Sequence, residues 1–96
     1  MDGNYKLIHN SAKQRFEFHI DGFKPHIEYR ERRNKIYLEH TRVPKELEGK
    51  GIASNLVKQV FRTIDQRQLI LVPICDFVKS YLVRHPEWNY LTKERS

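Results

Sequence analysis

Ile52, Leu56, Val60 and Ile64 recur every four residues, and Ala53, Val57 and Phe61 form a second row beside them. Ser54, Asn55, Lys58, Gln59, Arg62 and Asp65 fall on the opposite side. An apolar stripe of this width predicts a helix that lays one face on a sheet. "LILVPIC", residues 69–75, follows almost at once and is apolar throughout, the pattern of a strand buried on both faces. "KIYLEHTRV", residues 35–43, precedes the helix and predicts another strand. Strand, helix and strand make one β-α-β crossover, with parallel strands and a right-handed connection. This unit restricts the fold more than anything else in the chain.

Pro73 conflicts with a central strand because it has no N–H for the ladder. The conflict resolves if the two parallel strands diverge there and leave backbone groups free. Asp76 is expected to cap a second helix whose apolar face is Phe77, Val78, Tyr81 and Leu82. Pro86 disfavours helical geometry at His85, so this helix should stop near Arg84. Trp88, Tyr90 and Leu91 are apolar anchors in a tail that is then expected to fray.

Ahead of the crossover the period is two. Strands are predicted over residues 5–10, 15–21 and 26–30, with Phe16, Phe18 and Ile20 sharing a face. "SAKQ", Asp21-Gly22 and "ERRN" supply the intervening turns. The expected fold class is α/β: an antiparallel meander joined to a parallel strand pair by the crossover, with two main helices. At 96 residues one domain, 1–96, is the natural count, with a modest core. No segment approaches the length of a membrane span, the first ten residues lack the apolar stretch of a leader, and Cys75 has no partner for an internal disulfide. A cytoplasmic location and no membrane partner are the expectation.

The formal net charge is +6, from 18 Lys+Arg against 12 Asp+Glu. Such a balance favours an anionic partner. The densest basic run, "RERRNK" at residues 30–35, reads as a solvated hairpin tip, interrupted by Glu31 and Asn34. It lacks the interleaved aromatics of a single-strand binding surface, and nucleic acid is not the expected partner.

"EGKGIA", residues 48–53, joins the fourth strand to the first helix. Amides at the start of a helix have no internal partner, and the helix dipole adds positive potential, so the junction is a candidate anion site. Gly51 would let a phosphate approach the backbone, and Lys50 adds charge. A plain turn explains the local residues equally well, since the spacing is neither that of the Walker loop nor that of the dinucleotide fingerprint.

The loop resembles the Q/R-x-x-G-x-G/A pyrophosphate loop of the GCN5-related N-acetyltransferases, with Gly51 and Ala53 in the G and G/A places and Glu48 where Arg or Gln is usual. The wider pattern, "HTRVPKELEGKGIASNLV" followed by "PICDFVKSYLVRHPEW", resembles a subgroup of compact members of about this length. The resemblance implies a reduced form of the family's fold. It implies acetyl-CoA as cosubstrate, held by Thr41, Val43, Gly49, Lys50, Gly51, Ile52, Ala53 and Ser54, with its thioester in the splay between the parallel strands. The helices that larger members carry between their first strands are absent from this pattern.

Amine acetylation needs a neutral amine at the thioester, a stabilised oxyanion and a proton for the departing thiolate. Backbone N–H groups near Val43 are candidate oxyanion donors. His40 is the candidate base, with Glu39 on the other face as the alternative, and a sheet histidine as the plain reading. Cys75, just before a helix start, is a candidate nucleophile or a small core residue. Tyr81 is a weaker candidate for proton donor, against a core aromatic. His9, His19, His26 and His85 show no metal-ligand spacing, and no metal is expected. The expected function is transfer of acetyl to a small-molecule or protein amine. The alternatives are a CoA-binding regulatory module and a basic nucleic-acid or protein adaptor.

Overall fold

The computed structural model describes residues 5–95; residues 1–4 and 96 lie outside, including part of the stretch read for a leader. Five strands form one sheet: β1 (Ile8–Asn10), β2 (Arg15–Glu17), β3 (His26–Arg32), β4 (Lys35–Arg42) and β5 (Ile70–Pro73), in the spatial order β1-β2-β3-β4-β5. The first four pair antiparallel, and β4 pairs parallel with β5. Helix α1 (Ile52–Gln66) connects β4 to β5, and α2 (Asp76–Arg84) follows. The α/β meander and crossover expected from the two hydrophobic periods are the observed architecture.

Both helices lie against one face of the sheet. Phe16, Ile27, Ile36, Leu38 and Leu71 from that face share a single core with Leu56, Val60 and Ile64 of α1 and with Val78 and Tyr81 of α2. The opposite face is open and charged, crossed by the pairs Arg15–Glu17, Arg42–Glu28 and Arg30–Glu39. With only one face covered, β5 is not buried on both sides as its composition suggested. Leu71 is buried, Ile70 and Val72 are half-buried, and Ile74 is 49 % exposed. β5 is the edge strand, a position that tolerates Pro73.

Other boundaries move for local reasons. β1 starts at Ile8, because Tyr5 leaves the ladder to pack on Phe18 (ring centroids 5.2 Å apart) while its carbonyl accepts from Gln59 Nε2 at 2.9 Å. β2 ends at Glu17, beyond which the Phe18 amide donates to the Pro25 carbonyl at 3.0 Å and the Ile20–Phe23 bridge continues the alternation. β3 runs to Arg32, which shortens the turn to Arg33 and Asn34. The tail does not fray over the described residues. A 3-10 helix (Pro86–Thr92) buries Leu91 completely, and Arg95 then donates to the carbonyl of Leu69 at 2.9 Å.

Candidate functional site

β4 outlasts its parallel partner. Pairing with β5 ends at Leu38 opposite Pro73, whereas β4 continues to Arg42. The amides of Ile74 and Cys75 then both donate to the Leu38 carbonyl, at 3.0 and 2.9 Å, and the chain turns straight into α2. Pro73 thus marks the point where the parallel pair opens.

The turn corrects the reading of Asp76. Cys75 is the cap residue and Asp76 is already the first residue of α2, because no spacer separates the last strand hydrogen bond from the helix. The carboxylate therefore sits in the first turn, where it meets the helix dipole without capping an amide.

Between β4 and α1 a 3-10 turn (Lys45–Leu47) plugs Leu47 into the core. Gly49 (φ 80°) and Gly51 (φ 73°) both take the left-handed conformation that a glycine adopts at little cost. Gly51 is the cap of α1 and offers no side-chain hydrogen bond, and no acidic residue stands in the first helical turn. The amides that open α1 therefore lack both an internal partner and a side-chain cap. A cavity of about 210 Å³ lies over them, lined by Gly49, Gly51, Ile52, Ala53 and Ser54 and walled by Val43, Leu47, Glu48 and Phe77.

Six residues assigned to the cosubstrate from the loop pattern meet at this cavity: Val43, Gly49, Gly51, Ile52, Ala53 and Ser54. Lys50 is exposed on the same loop outside the lining, and Thr41 lies at the strand opening. Leu47 and Phe77 were missed. Leu47 is an isolated apolar residue in a polar stretch, a signal that a side chain is needed where the chain turns, whereas Phe77 read only as part of the apolar face of α2.

Cys75 is half-buried at the opening, its Sγ 3.3 Å from the Thr41 hydroxyl. Burial pushes the thiol pKa up, but the Thr41 hydroxyl and the nearby backbone of Val78, Phe77 and Thr41 outweigh it and hold the thiol below its ordinary value. The sulfur is thus poised toward thiolate.

His40 is not brought to the sulfur. The β3–β4 register slips so that Glu28 opposes His40 and Tyr29 opposes Leu38, which leaves Glu39 as an extra residue in a β-bulge. The bulge turns Glu39 and His40 both toward the open face, where Glu39 binds Arg30 at 2.7 Å. This corrects the expectation that these two point oppositely. It also delivers Thr41, rather than His40, to Cys75. Tyr81 is buried, its ring edge-on to Phe61 at 5.5 Å and 4.2 Å from His85. Burial and the charge of Glu87 raise its phenol pKa. Among the described residues no cluster of His, Cys, Asp and Glu could hold a metal, and no helix is long and apolar enough to cross a membrane.

A family profile described as GCN5-related N-acetyl-transferase matches residues 15–91, which spans the sheet from β2 onward, the loop and both helices. A GCN5-like protein from Staphylococcus aureus, solved in solution by NMR, superposes with a TM-score of 0.71 at 24% sequence identity, covering 98% of this chain and 93% of its own. That likeness is one of fold. No curated protein matches the sequence. With the profile covering most of its length, the chain belongs to the GCN5-related N-acetyltransferase family.

Proposed function

We propose that the protein binds acetyl-CoA at the glycine loop and transfers the acetyl group to an amine of a small molecule or protein. One observation carries this reading. The α1 terminus presents uncapped amides beneath a cavity, on a loop whose glycines leave open space where any side chain would begin. The family uses acetyl-CoA, and a diphosphate suits such a terminus. Glu48 borders the same cavity and opposes an anion there, so binding rests on the backbone amides and Lys50.

Acetyl-CoA supplies an activated thioester. On the protein side, Val43 and Phe77 line the glycine-loop cavity, each two residues along the chain from Thr41 and Cys75 respectively, and the Cys75 thiol has its pKa lowered by Thr41 and the start of α2. Attack by Cys75 Sγ on the thioester carbonyl forms S-acetyl-Cys75 and expels CoA thiolate, which takes up a proton. The amine nitrogen then attacks the S-acetyl carbonyl, the carbonyl–Sγ bond breaks, and the proton lost from nitrogen passes to the departing Sγ or to solvent. In the direct alternative the amine attacks the thioester itself and His40 accepts its proton from the open face. A CoA-binding module without turnover is a second reading, favoured by one fact: among the described residues the only side chain hydrogen-bonded to Cys75 is Thr41, which is no base.

Saturating acetyl-CoA tests the binding. Ligand at a hundred times its dissociation constant adds about 2.7 kcal/mol, a melting shift on the order of 10–20 °C for a domain of this size. No shift at millimolar acetyl-CoA would overturn the proposal. Intact mass then separates the mechanisms: one added acetyl with equal release of CoA, absent in Cys75→Ala, supports the covalent route. Wild-type turnover in Cys75→Ala, lost in His40→Ala, supports the direct route, and binding without either product supports the module.

A further inference from the structure

The basic run at the β3–β4 tip has a structure that the glycine loop does not explain. A second cavity, about 240 Å³, opens there and is lined by Arg30, Glu31, Arg32 and Tyr37. Tyr37 is half-buried, and Arg30 faces it directly across the β3–β4 ladder. Arg30 Nε is held by Glu39 at 2.7 Å, which orients the guanidinium while its terminal nitrogens stay available. Glu31, the run's one acid, is neutralised by a fork of two 3.1 Å hydrogen bonds from Arg67.

Arg32 stands directly opposite Lys35 in register, a like-charge pair that destabilises a hairpin. Neither residue, nor Arg33 between them, has an ion-pair partner among the described residues. An anion at the tip would relieve that repulsion. Beside Tyr37, Val72 and Ile70 of β5 lie half-buried on the same face, so the charged cavity adjoins an apolar rail.

We infer that this cavity is a docking site for an extended, acidic segment of a partner protein, one that alternates carboxylate and apolar side chains. The Arg30 guanidinium, oriented by Glu39, and the unpaired Arg32 beside it suit carboxylates, and the rail suits the alternate residues of a strand-like peptide. A nucleic acid fits less well. It would need a longer cationic track and exposed rings for stacking, whereas the free cations here cluster on one turn and Tyr37 forms a floor. The site lies at the opposite end of β4 from the glycine loop and does not depend on the acetyl-CoA reading.

Fluorescence anisotropy tests it with three labelled probes: a peptide alternating Glu and Leu, the same peptide with Gln for Glu, and a single-stranded oligonucleotide of equal charge. The Glu peptide should bind more tightly than either other probe, with or without acetyl-CoA. Arg32→Glu should weaken that binding roughly tenfold or more. The same change gives Lys35 an opposite charge across the turn, so the melting temperature should hold or rise, which separates lost binding from lost folding. Lys58→Glu with Lys79→Glu, on the exposed sides of the helices, should leave affinity unchanged. Equal weakening by these distant changes would reduce the effect to net charge and overturn the proposal, as would tighter binding of the oligonucleotide or equal binding of the Gln peptide.

Discussion

A thiol and a glycine decide most at the scale of single residues. Burial raises the Cys75 pKa, but Thr41 and the backbone at the start of α2 lower it by more and leave it below that of an ordinary thiol. Its reactivity toward iodoacetamide should therefore rise with pH around a midpoint below that of an ordinary thiol. Thr41→Val removes the 3.3 Å hydroxyl contact and should move the midpoint upward, with little change in fold. An unchanged midpoint would show that the helix amides suffice. Gly51 at φ 73° is different: a Cβ there would meet nothing within 4 Å, so the obstacle to a side chain is the backbone conformation. Gly51→Ala should cost roughly 1–2 kcal/mol of stability, readable by urea unfolding. Its acetyl-CoA affinity should fall more than tenfold, beyond that stability cost.

At the scale of elements, β1 and β2 are three residues each, and a charged cluster is built around the end of the second. Glu17 is 3 % exposed, with Arg15 Nε donating at 2.6 Å and His19 Nε2 at 2.7 Å. Burial would raise its pKa, but the hydrogen bonds from His19 and Arg15 prevail and hold it at about 2, below the 4.5 of a free glutamate. The unfolded chain therefore binds the proton first. The stabilisation is complete above pH 4.5 and is lost as pH falls toward 2. It is of the order of 3 kcal/mol. Glu17→Gln should lose a comparable amount at neutral pH and show a flatter stability profile between pH 5 and 2.5, measured by urea unfolding across that range.

Across the whole molecule, the C-terminal segment closes the core. Leu91 is fully buried with Phe61, Ile64 and Leu71, and Arg95 ties the end of the segment to the α1–β5 connection. Leu91→Ala should cost about 2–5 kcal/mol, as much as a core change within α1, and lower the melting temperature accordingly. A loss under 1 kcal/mol would mean that the segment is a removable appendage. Closure of this kind also lets a ligand at the loop stabilise the entire fold, since α1 contacts the sheet, α2 and the final 3-10 segment.

The two hydrophobic periods, read along the chain, determined α1 to within the residues observed, the meander and the parallel crossover, and Pro86 determined the end of α2 at Arg84. Patterning of this kind is local, and burial of one face enforces it. The glycines were legible for the same reason: a left-handed turn leaves its mark in residue type. Three matters were decided only in three dimensions. The number of helix-covered faces made β5 an edge, because an apolar strand reads alike whether one or both of its sides are packed. The bulge at Glu39, set by pairing with a strand ten residues away, reversed the facing of everything after Glu39 and put Thr41 beside Cys75. Phe77 reached the glycine cavity because Pro73 ended the ladder early and turned α2 toward α1. Sequence periodicity carries no record of such shifts, since one added residue in a strand changes the partner of every later side chain without changing the composition of the stretch.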